Sequence, residues 1–265
     1  MHPMLNIAVR AARAAGKILT KNFGEQADFK AQMKSHNDWV TALDKAAEEA
    51  IIATIRKSYP QHSILAEESG LQTGTDADVV WIIDPLDGTT NYLRGIPHFA
   101  ISIAISIKGV VQHGVVYDPM REDLFTASRG AGAQLNGKRL RVTAIKDLEG
   151  SLLATGFPFK NKALLPVHQA IFAELFGQVA DMRRAGAAAL DLAYVAAGKL
   201  DGFWEFGLQS WDIAAGDLLV REAGGIATDF RGGHGYLESG NIVAGNPKLV
   251  KALLGAARAH LPERL

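Results

Sequence analysis

The chain has 265 residues, 48% of them apolar, with 28 Lys+Arg against 28 Asp+Glu and no cysteine. Zero formal charge argues against a general nucleic-acid binder, which needs surplus cations to release phosphate counterions. The lack of cysteine excludes a disulfide scaffold, a thiolate zinc site and a Cys nucleophile, and suits a reducing cytoplasm.

Residues 1–23 hold no acid. Arg10, Arg13, Lys17 and Lys21 recur at steps of three and four on one helical stripe, and Met4, Ala8, Ala11, Ala15 and Ile18 form the opposite one. That spacing predicts an amphipathic helix packed on the domain rather than the targeting segment its basic character superficially suggests. A second helix is predicted from near Thr41 to Lys57, with Leu43, Ala46, Ala47, Ala50, Ile51 and Ile55 inward and Pro60 beyond its end. A strand over Ser63–Glu68, a glycine-containing loop to Asp78 and a wholly apolar strand over Val79–Ile83 follow. His98–Ile107 and Val110–Tyr117 read as strands joined at Lys108-Gly109, and Asn136-Gly137 marks another hairpin. The clearest apolar run here, Phe99 to Ile107, is broken by Ser102 and Ser106 and is far too short to span a bilayer, so no membrane partner is expected.

The second half changes character. Strands near Ser151–Thr155, Gly202–Phe206, Ile226–Asp229 and Asn241–Ala244 alternate with helical patterns near 164–176, 187–197, 211–223 and 247–260. Gly198 and Gly224-Gly225 stand where helix C-caps belong. The first half therefore reads as antiparallel and the second as α/β. Layered sheets and helices are expected, divided into subdomains 1–145 and 146–265.

The chemistry is expected from carboxylates at strand ends and turns. Glu67 and Glu68 close one strand, and Asp84 closes the apolar strand, where a carboxylate is costly unless a cation meets it. Pro85 is expected to force a turn, exposing the Leu86 carbonyl and bringing in Asp87. Asp212 follows Trp211 at a helix start, where the macrodipole favours negative charge. Oxygen ligands from separate elements, without cysteine or an HxxxH pair, suit a hard cation such as Mg²⁺. Strand neighbours face opposite ways, so Glu67 is taken as the ligand and Glu68 as lying behind it or facing solvent. Gly88-Thr89-Thr90 adds backbone N–H groups and hydroxyls that can cradle phosphate oxygens, and acids beside an anion nest favour phosphate-ester hydrolysis.

These residues are recognisable as a set. Trp81-Ile82-Ile83-Asp84-Pro85-Leu86-Asp87-Gly88-Thr89-Thr90-Asn91, with Trp211-Asp212-Ile213-Ala214-Ala215-Gly216 and Glu222-Ala223-Gly224-Gly225 downstream, resembles the inositol monophosphatase family over nearly the whole chain. Met1-His2-Pro3-Met4-Leu5-Asn6-Ile7-Ala8 and Ala154-Thr155-Gly156-Phe157-Pro158-Phe159 are similar to a bacterial branch of it. The resemblance implies an alternating α-β-α-β-α sandwich, a homodimer, inhibition by Li⁺ and two or three Mg²⁺ per site. It implies one ion on Glu67, Asp84 and the Leu86 carbonyl, a second on Asp84, Asp87 and Asp212, and a weaker third on Glu67 and water. Thr89, bonded to Asp44, would help Glu67 activate the attacking water. Phosphate would rest on the Gly88 and Thr89 amides. The implied substrate set also takes in Glu67, Leu86, Asp87, Arg183, Gly186, Ala187, Ala188, Glu205 and Asp212. The family often carries Ser or Thr where this chain has Ala187, which removes a hydroxyl contact without touching the metal chemistry. The bacterial branch further implies a second role as a binding module in ribosomal-RNA transcription antitermination, with NusA and RNA polymerase as partners.

Simpler readings stand beside several of these. Asp44, in a first helical turn, would stabilise the dipole in any case. Glu205 could instead be the outward residue of an aromatic strand, although substrate contact is the favoured reading, and the Arg183-Arg184 pair a solvated or interface feature, Arg183 facing either substrate or the dimer seam. Gly132 to Lys138 nearly spells a P-loop, but Arg139 replaces the needed Ser/Thr and Asn-Gly makes a hairpin of it. No GxSxG elbow supports a serine hydrolase. The expected function is Mg²⁺-dependent hydrolysis of myo-inositol monophosphate. Fructose-1,6-bisphosphate and a nucleotide 3′-phosphate rank lower, because no cationic cluster awaits a second phosphate and Glu205 would repel it.

Overall fold

The computed structural model describes residues 2–24, 32–35, 38–40 and 42–263. Helix α1 (Pro3–Lys21) begins with Pro3 in its first turn, and His2 Nδ1 accepts the Met4 N–H at 3.3 Å. Ala8, Ala11 and Ala15 are buried as the periodicity requires, with Leu5, Ala12 and Leu19 beside them, while the four cations stay exposed. The helix lies so close to the sheet beneath it that a Cβ at Gly16 would stand 2.7 Å from the Tyr117 ring. A short antiparallel pair, β1 (Gln32–Ser35) and β2 (Asp38–Val40), precedes α2 (Ala42–Ser58). The predicted helix start at Thr41 lies outside the described residues. Helix α2 buries Leu43, Ala47, Ile51 and Ile55, and also two acids, Asp44 and Glu48.

Eight strands make the first sheet: β3 (His62–Ala66), β4 (Gly70–Gln72), β5 (Asp76–Asp87), β6 (Ala100–Ile107), β7 (Val110–Asp118), β8 (Asp123–Ser128), β9 (Gly132–Leu135) and β10 (Lys138–Arg139), with α3 (Thr89–Leu93) between β5 and β6. Their order is β10-β9-β8-β7-β6-β5-β3-β4, and only β3 and β5 pair in parallel. The Lys108-Gly109 and Asn136-Gly137 turns have left-handed backbones at both residues, as two-residue hairpins require. Strand β6 is apolar but for Ser102 and Ser106 because both faces are covered, Ile101, Ile103 and Ile105 facing α1 and α2, and Ala100 and Ala104 the interior.

Two expectations change here. The strand predicted to run to Glu68 stops at Ala66, and Glu67 and Glu68 lie in the turn after it. The Glu48 carboxylate takes the Glu68 N–H at 2.8 Å, and Gly70, with φ +71°, reverses the chain into β4, which occupies the predicted loop. Pro85, expected to turn the chain, lies inside β5. There the partners of Asp84 and Asp87 are Ser102 and Ala100, so three steps on β5 match two on β6. This is a β-bulge, a place in a sheet that tolerates a residue without an N–H.

The second sheet holds β11 (Leu152–Thr155), β12 (Asp181–Arg183), β13 (Gly202–Glu205), β14 (Ile226–Thr228) and β15 (Ile242–Gly245), ordered β12-β11-β13-β15-β14. It is mixed: β11 runs parallel to β12 and β13, whereas β15 is antiparallel to both its neighbours. Five helices accompany it: α4 (Leu165–Phe176), α5 (Ala188–Ala196), α6 (Ser210–Glu222), the short α7 (Tyr236–Ser239) and α8 (Pro247–Ala257). Helices α1 and α2 cover one face of the first sheet around Leu19, Ile51 and Trp81. Helices α5 and α6 lie between the two sheets, in a core with Phe125, Phe203 and Leu218. Helices α4 and α8 close the far side around Ile171, Trp204 and Leu249. The layers therefore alternate α-β-α-β-α, and successive residues Phe203 and Trp204 enter different cores because strand side chains alternate. No helix among the described residues is long and apolar enough to cross a membrane.

Candidate active site

Where β5, β11 and β13 end and α5 and α6 begin, the molecule holds a cavity of about 390 Å³. Glu67, Asp84, Leu86, Asp87, Gly88, Thr89, Gly186, Ala187, Ala188, Glu205 and Asp212 all line it. The bulge explains how Asp84 and Asp87 share a wall. Three residues apart in a regular strand they would face opposite ways, and the extra residue restores a common side. Gly88 then turns the chain with φ +95°, where a Cβ would press to 3.0 Å from the His98 carbonyl oxygen and 3.3 Å from that of Gly186. Helix α3 starts directly after it, so the first amides of that helix open toward the cavity.

Three of the acids are each held by a backbone donor. The Leu86 N–H donates to Asp84 at 2.9 Å, the Gln209 N–H to Asp212 at 2.7 Å and the Ala189 N–H to Asp87 at 2.7 Å. The last bond has a structural consequence, because Ala187 at the N-cap of α5 offers no side-chain acceptor and Asp87, from the other sheet, caps the helix in its place. The Asp84 and Asp212 carboxyls also lie close enough to influence each other's protonation. Burial, reinforced by the charges of Glu67, Asp87 and Asp212, pushes the Asp84 carboxyl well above the usual range. Burial and the Asp212 charge do the same to Asp87, and burial with the Glu67 charge lifts Asp212 to about 6. Among the described residues no three acids or histidines already close into a cation cage. Several carboxylates and one carbonyl oxygen, drawn from β5, α6 and the turn after β3, nevertheless form the donor set of a hard divalent cation, whose charge would relieve this crowding.

Asp44 does not reach the cavity. It sits buried behind Thr89, whose hydroxyl lies 3.3 Å from Asp44 Oδ1 and 3.1 Å from the Leu86 carbonyl oxygen. Glu68 lines a separate hollow with Lys45, Glu48, Glu49 and Ile52. Arg183, expected to face either substrate or the dimer seam, is exposed and pairs with Asp181 two residues earlier, and the cavity lining takes in the next residue, Arg184.

Sequence reasoning missed several wall residues. Arg184 lies with its guanidinium 5.6 Å from the Phe157 ring centre. Asp191, buried in the first turn of α5, has its carboxyl raised by burial to about 8, and burial with the Asp191 charge lifts Glu205 well above its ordinary range. Asn91 donates to the His98 and Ala185 carbonyls at 2.8 and 2.9 Å, tying the Gly88 turn to the 184–186 segment. Gly156 leaves room for Glu205, since a Cβ there would fall 2.1 Å from its carboxyl. An acid in the first turn of a predicted helix was the one available signal for Asp191.

Comparison with known proteins agrees with this geometry. The model of the inositol monophosphatase family matches residues 1–263. The Nus factor SuhB of Escherichia coli K12 is 62% identical over 265 residues, covering 100% of this chain and 99% of its own. The crystal structure of extragenic suppressor protein suhB from Bartonella henselae superposes with a TM-score of 0.95 at 43% identity, covering 98% of this chain and 100% of that one. The inositol monophosphatase from Anabaena (Nostoc) sp. PCC 7120 gives a TM-score of 0.87 at 40% identity, with 98% and 97% covered. The bacterial branch expected from the first residues and the Ala154–Phe159 segment is the one these relatives represent.

Proposed function

Since the chain belongs to the inositol monophosphatase family, we propose that it is a Mg²⁺-dependent phosphomonoesterase that hydrolyses myo-inositol monophosphate. The observation that carries this reading is the bulge in β5, which sets Asp84 and Asp87 on one cavity wall with Glu67 and Asp212. In this reading Glu67, Asp84 and the Leu86 carbonyl would hold one ion, and Asp84, Asp87 and Asp212 another. Bound Mg²⁺ supplies positive charge to the ester oxygens and acidifies a water. The protein's own groups then divide the work. Amides at Gly88 and Thr89 receive phosphate oxygens. Thr89 donates a hydrogen bond to Asp44 and turns its lone pairs to the attacking water, which yields a proton to Glu67 as its oxygen bonds to phosphorus; the ester P–O bond breaks, and the leaving alkoxide takes up a proton from solvent. Glu205 and the backbone at Gly186–Ala188 meet the hydroxyls of the leaving group. Residues 1–145 would contribute the metal and phosphate motifs, and 146–265 would complete the site.

The test is phosphate release from myo-inositol 1-phosphate with and without Mg²⁺. Removing one ligand charge in Asp84→Asn is expected to lower turnover about a thousandfold or more. Near-normal Mg²⁺-dependent release by that variant would defeat the mechanism. Exposed Phe157, Phe159, Leu165 and Phe176 around the cavity rim and α4, beside the edge strand β12, support pairing with a second copy, which size-exclusion chromatography tests. The lack of cysteine supports a cytoplasmic setting.

A second role rests on the relatives' names. Proteins 55–62% identical to this chain are called Nus factors, which supports binding to the transcription machinery, with NusA and RNA polymerase the partners to test. Pull-downs with wild-type and Asp84→Asn protein separate the roles: retention by both supports an activity-independent surface, and retention by neither removes it.

A further inference from the structure

The hydroxyl contact proposed for Glu205 leaves its neighbour unexplained. Asp191 is 2% exposed and Glu205 is 7% exposed, yet both carboxyls line the cavity. Among the described residues no N–H or O–H group donates to either one. Buried carboxyls are normally met by donors, so two without any on a cavity wall call for donors from what the cavity binds. The wall is also built to keep its charged heads in place. A Cβ at Gly156 would overlap the Glu205 carboxyl, and one at Gly186 would stand 2.6 Å from Arg184 Nη1. Arg184, resting near the Phe157 ring, is the cation of this group.

We infer that Asp191 is a specificity-determining residue, a second hydroxyl-reading carboxyl that works with Glu205 and Arg184 to select a neutral polyol leaving group. The two carboxyls accept hydrogen bonds from neighbouring hydroxyls, and the guanidinium donates to a hydroxyl oxygen. A leaving group bearing an ammonium would suit the acids but meet Arg184. One bearing a second phosphate would suit Arg184 but bring the two carboxyls no donors. A neutral polyol is repelled by none of them. The inference rests on the phosphatase reading and extends it to leaving-group choice.

The experiment measures kcat/KM for myo-inositol 1-phosphate and for p-nitrophenyl phosphate, whose leaving group offers no hydroxyl array. Asp191→Asn keeps the shape of the side chain, and Asp191→Leu removes the acceptor altogether. The ratio of the two kcat/KM values is expected to fall roughly 10- to 100-fold in Asp191→Leu and less in Asp191→Asn, mainly through a higher KM for the inositol ester. A melting temperature close to that of the wild type in Asp191→Asn separates this result from misfolding. A ratio within about twofold of wild type in both variants would overturn the inference while leaving the phosphatase reading intact. A wild-type protein that releases phosphate from neither ester would remove the phosphatase reading, and this inference with it.

Discussion

Two stretches of one cavity wall are built by different means. The Asp84–Asn91 run places a pair of acids, a carbonyl, a nest of amides and a hydroxyl from consecutive residues, and backbone geometry does the placing: a bulge at Pro85 and a left-handed Gly88. The Gly156, Arg184, Asp191 and Glu205 wall draws one residue from each of several elements around the second sheet, and side chains do the placing. The contrast shows why chemistry and specificity separate in such a site. A contiguous run sustains one reaction wherever its backbone is kept, while a wall assembled from distant residues changes its selectivity by single substitutions. The two are joined at Asp87, which lies on the bulge and caps helix α5 beside Asp191.

The largest expected effect tests whether the reaction end acts as a unit. Asp212→Asn can still accept the Gln209 N–H and keep the start of α6, so the protein should stay folded while turnover falls about a thousandfold. Turnover near the wild-type value would mean that the acid from α6 does not work with those of β5. Next, Gly88→Ala forces a left-handed backbone and a close carbonyl contact onto a Cβ. A loss of roughly 2–4 kcal/mol in stability should appear in urea titration, with activity lost alongside it. A neutral outcome would contradict the claim that backbone geometry sets that end.

Gly156→Ala probes the other wall. Its Cβ should displace the Glu205 carboxyl and raise KM for the inositol ester about tenfold, with a smaller change in kcat. Equal losses in KM and kcat would show that the two walls are not separable. The smallest effect lies outside both. His113 is buried against His2, their rings 4.2 Å apart, and bonds Ser128 Oγ at 2.8 Å. Burial, with the His2 charge, lowers its pKa from 6.5 to about 4. The unfolded chain therefore takes up a proton near pH 6.5 that the folded chain refuses until about pH 4. The His113 contribution to stability should be complete above that window and decline by roughly 2 kcal/mol as pH falls through it, opposite in sign to the contribution of the raised carboxyls. Urea midpoints of wild type and His113→Gln at both ends isolate it as the difference between the two proteins, with leaving-group preference unaltered.

The long periodic elements and the chemical motif were legible from residues alone. Helices α1 and α2, the two left-handed hairpins and the helices of the second half stand within a few residues of their expected places, because periodicity and Asn-Gly or Lys-Gly turns act over short distances. Strand β12 and helices α3 and α7 are too short to show a period. That Arg184 lines the cavity was not legible, because nothing local sets which of two adjacent arginines faces inward. Glu48 holds the Glu68 N–H in the turn after β3 through a bond across twenty residues that no local pattern announces.

The amino-acid order by itself determined the kinds of elements, the oxygen-only character of the donor set and the glycine-bearing phosphate nest, since these depend on neighbours along the chain. Tertiary structure alone decided that Asp84 and Asp87 share a side, that Asp87 caps a helix of the other half, and that Asp191 joins Glu205 on one wall. Those outcomes depend on strand register and on packing between layers, which are settled by burial summed over the whole chain rather than by any local run of residues.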